Sequence, residues 1–171
     1  NQGEGIARLG TPPLAGLSAH YVERQLRDFR EGRRGSHPAD IKGLLMRPMA
    51  RVLLQDETLV SVSRFVASLP AFPQEKPLTV PAPETLLVAK TCLGCHSDAN
   101  EVAPSLEGRG ADYLSAQLDK FSFGIRGYHP EHAEGRLMGE VARLLLASGR
   151  DKDALAAYLN ASGKTAPLET K

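Results

Sequence analysis

The sequence predicts an all-α protein built from two tandem units that are related by an internal repeat. The first observation is that a shift of 92 residues superimposes many identities in one register, among them glycine, proline, histidine and methionine. The second is an apolar spacing of i, i+4 and i+7 near the start of each unit, which is typical of an amphipathic helix. No stretch shows the apolar–polar alternation of a half-buried strand.

The repeat and a proline-rich stretch define the domain organisation. The matched pairs are Pro12/Pro104, Leu14/Leu106, Gly16/Gly108, Tyr21/Tyr113, Gln25/Gln117, Leu26/Leu118, Phe29/Phe121, Gly32/Gly124, Arg34/Arg126, Gly35/Gly127, His37/His129, Pro38/Pro130, Met46/Met138, Ala50/Ala142 and Arg51/Arg143. Five prolines between positions 70 and 83 favour an extended linker. We therefore expect a first unit over residues 1–72, a linker over 73–83 and a second unit over 84–171.

Each unit is expected to contain at least two helices. The apolar stripes of the leading helices are Val22, Leu26 and Phe29 in the first unit and Leu114, Leu118 and Phe121 in the second. These helices should end at Gly32 and Gly124, since glycine suits a left-handed C-cap. Asp56 and Asp151 are predicted N-caps of helices over 57–68 and 152–161. A further helix should begin at Pro83 and run into the cysteine pair.

Composition narrows the function classes. The chain has no Trp, four Tyr and five Phe, so its core is built from small aliphatic residues or around a large prosthetic group. A net charge of +1 argues against nucleic acid as a partner, because phosphate binding needs a clear basic excess. No apolar run approaches the roughly 20 residues of a membrane-spanning helix. Peripheral association with a membrane stays open.

The motif that carries chemistry is Cys92-Leu93-Gly94-Cys95-His96, which contains both cysteines of the chain. Cys-x-x-Cys-His is the attachment motif of c-type haem: two thiols three residues apart on a helical turn add to the haem vinyl groups. The adjacent His96 then binds the iron. A structural zinc site would need a second pair of ligands, a thioredoxin-like pair would follow a strand, and a disulfide across so short a loop would add little stability.

The second iron ligand is expected to be Met138, the only methionine after the haem motif. Methionine also fills gaps in apolar cores, but the repeat places Met46 at the matching position, which favours a shared role. His129 and His132 are the rival ligands. A histidine–methionine pair gives a fairly positive reduction potential.

Other residues are expected near the haem. The carbonyl of Pro104 is the candidate acceptor for the free ring N–H of His96, since a metal-ligating histidine usually donates its other N–H; a plain loop proline is the alternative. Tyr113, Arg126 and Arg109 are candidates for contact with the haem propionates. Surface positions are the alternative for both arginines.

Taken together, these residues resemble one family, the two-domain dihaem cytochromes c of the c-four type from the bacterial periplasm. The resemblance covers nearly the whole chain, through Pro-Ser-Leu-x-Gly after the haem motif, Tyr-Leu-x-x-Gln-Leu-x-x-Phe, the glycine-rich turn, a methionine loop and the Ala-Ala-Tyr-Leu of residues 156–159. It implies two class I cytochrome c folds and electron exchange between two haems. It also implies redox partners such as a quinol-oxidising complex, a periplasmic dehydrogenase or a terminal oxidase.

The first unit departs from the family pattern, because residues 1–80 contain no cysteine. Either these residues follow a haem motif that the complete protein carries, or the first unit is a haem-free copy. Retention of Met46 and Pro12 favours the first interpretation. We therefore expect Met46 to be the axial ligand of a first-unit haem where that haem is present.

These observations predict an electron carrier rather than an enzyme, since a histidine–methionine iron leaves no open site for a substrate. The expected role is shuttling of single electrons in the periplasm between a donor complex and an acceptor such as a terminal oxidase. The alternative is a cytochrome subunit of a larger dehydrogenase or oxidase, with the first unit used for docking. A haem enzyme or gas sensor would require a displaceable sixth ligand, against which Met138 argues.

Overall fold

A computed structural model describes residues 2–71, 81–96, 103–147, 149 and 151–161. Within them the chain forms a short 3-10 helix and seven α-helices. The 3-10 helix is Ala7–Leu9, and the α-helices are α1 (Ala19–Glu31), α2 (Ile41–Arg51), α3 (Asp56–Ser68), α4 (Pro83–Cys95), α5 (Ala111–Ser122), α6 (Ala133–Ala147) and α7 (Lys152–Ala161). The described residues contain no strand beyond one isolated bridge between Ile6 and Thr11. The all-α prediction is therefore confirmed.

The repeat is visible in the packing. Helix α1 packs against α2 and α3, and its counterpart α5 packs in the same way against α6 and α7. Helix α4, which carries the cysteine pair, packs against α7. The core of the second unit is the cluster of Val88, Ala89, Leu114, Leu155, Ala156 and Leu159, and that of the first unit is Leu17, Tyr21, Val22 and Val66.

The predicted stripes and helix ends are mostly observed. Val22 and Phe29 are buried, as is Phe121 in the second unit. Helix α1 ends at Glu31 and is capped, as predicted, by Gly32, whose φ of 83° is one that side chains disfavour. Asp151 caps α7, because its Oδ1 accepts the backbone N–H groups of residues 153 and 154 at 3.0 and 2.9 Å.

The predicted N-cap at Asp56 is wrong. Asp56 is already the first residue of α3, and Gln55 stands at the cap. The Asp56 carboxylate instead binds Arg27 at 2.8 Å and Arg30 at 2.6 Å. Its negative charge still suits the first turn of a helix, where the dipole is positive, so the helix forms with a different cap.

The sequence-based interpretation also missed α2 and α6, which hold the two methionines expected in loops. Pro48 lies inside α2, and because proline disfavours a helix interior, the first of these helices was not predicted. Helix α2 begins at the cap Asp40, whose carboxylate accepts the N–H of Gly43 at 3.2 Å. Residues 73–80 of the predicted linker lie outside the described residues, and Pro83, its predicted last residue, opens α4.

The two units meet along a seam with approximate twofold matching. Lys120 Nζ reaches Asp40 Oδ1 at 2.6 Å, and His132 Nε2 lies 3.7 Å from Asp28 Oδ2. These two contacts correspond, because the repeat shift carries position 28 onto 120 and position 40 onto 132. The seam is therefore built from equivalent positions filled by different side chains.

No helix among the described residues is both long enough and apolar enough to span a bilayer.

Candidate functional site

The cysteine pair occupies the last turn of α4. Pro83 at its first helical position and Glu84 in its first turn favour the start of this helix, and the helix ends at Cys95. His96 stands at the C-cap, where its backbone N–H donates to the carbonyl of Cys92 at 2.9 Å. The helical turn thus brings both thiols and the imidazole to one end of α4. Both cysteines are free thiols, Cys92 partly buried and Cys95 exposed.

The His96 ring is oriented by the backbone of the following loop. Its Nδ1 lies 2.8 Å from the carbonyl oxygen of Pro104. Since a carbonyl only accepts, Nδ1 carries the proton and Nε2 is left with a free lone pair. Burial lowers the pKa of His96, and the charge of Arg126 lowers it further. The imidazole is therefore neutral at pH 7, which is the form that binds a metal.

Burial raises the pKa of the Cys92 thiol, whereas it lowers that of His96. The reason is that an apolar surrounding disfavours the charged thiolate. Cys92 packs against the apolar cluster of the second unit, together with Leu93 and Leu106. The end of α4 therefore presents one thiol bordering an apolar surface and one facing solvent.

The structure places Met138 within α6, partly buried and beside Gly139. A Cβ at Gly139 would lie 3.3 Å from the carbonyl oxygen of Phe121, so the glycine allows α6 to approach α5 closely. Met46 occupies the matching place in α2 and is 39% exposed. Met138 remains the predicted second ligand, now carried by a helix rather than a loop.

The rival histidines have contacts of their own. His129 Nδ1 accepts the backbone N–H of Glu131 at 3.2 Å, and the matching His37 accepts that of Ala39 at 3.0 Å, so both stabilise a turn. His132 is 4% exposed and faces Asp28 across the seam. Each histidine has a local role that accounts for its presence.

Arg126 lies at the seam between the two units. Its guanidinium stacks over Phe121 at 4.5 Å and donates to Gln117 at 2.8 Å. It also reaches the first unit, donating to Gln25 at 3.1 Å and Tyr21 at 3.3 Å. Its Nε is buried without a hydrogen-bond partner among the described residues. A surface position was one of the two roles expected for Arg126, and the structure excludes it.

Arg34 is the repeat counterpart of Arg126 and repeats its surroundings. It stacks over Phe29 at 4.5 Å and donates to Gln25. Burial lowers the pKa of Arg34, the charge of Arg126 acts in the same direction, and a hydrogen bond to Tyr113 opposes them. Among the described residues, neither arginine forms an ion pair with a carboxylate. Two guanidinium groups paired only with neutral side chains, one with an orphaned Nε, suit an anionic ligand such as a propionate.

Arg109 also takes a role different from those expected. It is 7% exposed, and its guanidinium donates to the carbonyls of Pro13 and Ala15 in the first unit. Sequence reasoning missed this contact because the repeat places Leu17, an apolar residue, at the matching position. The role of Gln25 in the seam could have been predicted from the sequence, because Gln25/Gln117 and Arg34/Arg126 are both matched pairs of the repeat.

The residues at the end of α4 fit a covalently bound haem. They offer two free thiols, a neutral imidazole with its Nδ1 engaged, an apolar wall, and nearby cationic groups without carboxylate partners. The chemistry of this donor set is that of c-type haem attachment.

Comparison with known proteins supports the same conclusion, although no family model matches the chain. The chain is 34% identical over 169 residues to the thiosulfate dehydrogenase electron acceptor of Stutzerimonas stutzeri. The alignment covers 90% of this chain and 72% of that protein. The chain belongs to this family of c-type cytochromes. It is also 28% identical to cytochrome c4 of Thiocapsa roseopersicina over 86% of the chain and 77% of that protein.

Solved structures extend the comparison. The thiosulfate dehydrogenase TsdBA of Marichromatium purpuratum matches with a TM-score of 0.65 and 29% identity. The match covers 97% of this chain but only 35% of the TsdBA chain. Cytochrome c4 of Acidithiobacillus ferrooxidans matches with a TM-score of 0.62 at 22% identity, covering 88% of this chain and 87% of that one, which shows the fold.

Membership of the dihaem c4-type cytochromes confirms the predicted fold class, two tandem cytochrome c domains, and the predicted haem c cofactor. The protein is an electron-transfer cytochrome, and its partners are redox proteins.

Proposed function

We propose that this cytochrome accepts single electrons from a thiosulfate dehydrogenase in the periplasm and passes them to a further carrier or a terminal oxidase. The haem of the second unit is attached through Cys92 and Cys95, with His96 and Met138 as iron ligands. The observation that carries the proposal is the contact between His96 Nδ1 and the Pro104 carbonyl at 2.8 Å. It fixes the imidazole beside two free thiols with Nε2 available.

When bound, the haem would supply one-electron redox chemistry, and residues of the chain would hold and orient it. The Pro104 carbonyl holds the His96 ring in one orientation and makes it a better donor to the metal. Met138 would supply a sulfur ligand, which favours a higher reduction potential and would occupy the position that a substrate needs. The protein therefore transfers electrons without turning over a substrate of its own.

The cationic groups of the seam are proposed to hold the haem propionates. Arg126 offers a buried Nε without a partner among the described residues, and Tyr113 and Arg34 lie in the same hydrogen-bonded group. A buried guanidinium beside a carboxylate forms strong charge-assisted hydrogen bonds. A haem whose propionates bound there would be held by residues of both units.

The partner is proposed from the comparisons. The relative with 34% identity is named for accepting electrons from a thiosulfate dehydrogenase, and a similar fold forms part of the TsdBA dehydrogenase chain. A thiosulfate dehydrogenase as the electron donor agrees with both. Electrons released by thiosulfate oxidation then reach the cytochrome one at a time.

Stopped-flow spectroscopy tests this assignment. The oxidised cytochrome is mixed with purified thiosulfate dehydrogenase and thiosulfate, and the c-type α band is followed. We expect rapid reduction that depends on both enzyme and thiosulfate. Replacing thiosulfate with sulfate is the matched control, and the double variant Cys92→Ala, Cys95→Ala should lose the second-unit haem. Reduction no faster with the enzyme than without it would contradict the proposed donor.

A stable complex with the dehydrogenase is the second candidate, in which the chain acts as a subunit and its first unit as the docking module. The TsdBA structure favours it, since a similar fold there is covalently part of the enzyme. Size-exclusion chromatography of the mixture distinguishes the two. Co-elution at micromolar concentration indicates a subunit, whereas separate peaks with rapid electron transfer indicate a mobile carrier.

A further inference from the structure

Arg109 joins two loops that occupy matching places in the repeat. We call residues 12–15 the first proline loop and residues 104–107 the second proline loop. Arg109 Nη1 donates to the Pro13 carbonyl at 2.6 Å, and Nη2 donates to the Ala15 carbonyl at 2.8 Å. Arg109 Nε donates to the Glu107 carbonyl at 3.0 Å. One guanidinium therefore connects the two loops across the seam.

The contact is buried and needs a specific space. Arg109 is 7% exposed and forms no ion pair among the described residues, so its charge is balanced by backbone carbonyls. Gly16 makes room for it: a Cβ there would lie 3.2 Å from Nη2, and its φ of +79° disfavours any side chain. The geometric match of a planar fork to three carbonyls is specific to arginine, since lysine offers a single ammonium.

The second proline loop is the part of the backbone that orients His96. Its Pro104 carbonyl lies 2.8 Å from His96 Nδ1. Immediately after the loop, the chain is held by Asn160 of α7, which accepts the N–H of Gly108 on its backbone oxygen at 2.8 Å and that of Gly110 on its side chain at 2.7 Å. One anchor of this segment thus comes from its own unit, while Arg109 ties the segment to the other unit.

We infer that Arg109 is a positioning residue, which fixes the Pro104 carbonyl against His96 by tying the second proline loop to the first unit. The inference rests on the proposed function in taking His96 as an iron ligand. It means that the first unit contributes to the orientation of the second unit's imidazole. Loss of the hydrogen bonds of Arg109 should make the second proline loop more mobile and weaken the hydrogen bond to His96 Nδ1.

The variants for the test are Arg109→Leu, which introduces the residue type of its repeat counterpart Leu17, and Arg109→Lys, which keeps the charge. Arg136→Leu is the matched control, because Arg136 is exposed on α6 of the same unit. Two quantities are measured in the full chain: amide hydrogen exchange over residues 105–108, and the reduction potential of the second-unit haem.

We expect amide exchange over residues 105–108 to be faster in both Arg109 variants by about tenfold, because charged hydrogen bonds that hold the loop are lost. In Arg109→Lys, the reduction potential should rise, since a weaker hydrogen bond leaves the histidine less basic and the oxidised iron less stabilised. Arg136→Leu should leave both quantities unchanged. Wild-type exchange rates in Arg109→Leu would overturn the inference.

A second control separates positioning from a general loss of stability. Leu59→Ala removes a fully buried side chain of α3 in the first unit and opens a cavity there, away from the apolar cluster against which Leu106 packs. It should lower thermal stability while leaving the reduction potential near that of the wild type. An equal potential shift in Leu59→Ala and Arg109→Lys would overturn the inference. A wild-type protein without a c-type haem spectrum would instead contradict the proposed function, because the exchange measurement does not depend on haem.

Discussion

His132 faces Asp28 at the place in the seam where, on the opposite side of the pseudo-twofold, Lys120 meets Asp40. The Nε2 of His132 lies 3.7 Å from Asp28 Oδ2, while Lys120 Nζ lies 2.6 Å from Asp40 Oδ1. The two matching contacts therefore place an imidazole on one side of the seam and an ammonium group on the other.

Acidification should destabilise the protein through His132. Burial is the main cause that lowers the pKa of His132 to about 4, and the charges of Arg126 and Arg34 act in the same direction; Asp28 and Glu134 oppose it. Because the folded-state pKa lies below the unfolded value near 6.5, stability is full above about pH 6.5 and falls as pH drops toward about 4. The expected loss is up to about 3 kcal/mol.

Urea unfolding at a series of pH values measures this loss, and His132→Gln is the control because glutamine does not titrate. The difference in unfolding free energy between wild type and variant should change with pH between about 4 and 6.5. A difference that stays constant over this range would show that His132 is not responsible.

Lys120→Met should destabilise the seam at all pH values near neutrality. Lys120 is 22% exposed and Asp40 only 5%, so the substitution leaves a nearly buried carboxylate without its cation. The expected cost is about 1–3 kcal/mol in the unfolding free energy. Lys152→Met is the comparison, since its partner Asp119 is 39% exposed and can be solvated instead. Equal effects of the two substitutions would contradict the importance of burial.

Arg126→Lys should weaken the contact between the units while preserving charge. Lysine cannot reproduce the stacking on Phe121 together with the hydrogen bonds to Gln117 and Gln25. We expect a loss of about 2–3 kcal/mol in thermal or urea unfolding. Arg143→Lys, at a position 47% exposed, should cost much less. A similar loss in both variants would argue against a special role for Arg126.

Met138→Ala should abolish the weak long-wavelength absorption band of methionine-ligated ferric haem in the second unit. The thioether is the proposed source of that band, and alanine offers no ligand in its place. Potentiometric titration should show a lower reduction potential for the same variant. His129→Ala and His132→Gln are the controls, and disappearance of the band in either, but not in Met138→Ala, would assign the ligand to a histidine.

Helix formation in this protein was predictable wherever the local signal was strong. The stripe of Val22 and Phe29, the glycine stop at Gly32 and the Pro83 start all depend on neighbours a few residues away. Helices α2 and α6 were missed because their signals conflict. Pro48 interrupts the pattern of α2, and the glycines of α6 have low helix propensity, so both helices depend on packing against α1 and α5.

The candidate site likewise has one part that local sequence predicts and one part that depends on packing. Cys92, Cys95 and His96 were predicted from their spacing alone, because haem attachment requires these residue types at fixed neighbouring positions. The environment of the site required the tertiary structure. Arg109 and Arg126 carry the same charge as any surface arginine, and nothing local predicts that both would be drawn into contact with the other unit.

The all-α class, the tandem repeat and the candidate haem attachment motif follow from the amino-acid sequence, since each is a short-range pattern or a comparison of the chain with itself. How the two units join depends on the tertiary structure. Asp28 with His132 and Asp40 with Lys120 are separated by 80 or more residues, and their pairing depends on how complete units pack. Burial in that seam is what gives one pair its pH dependence and gives Arg109 its hold on the loop beside His96.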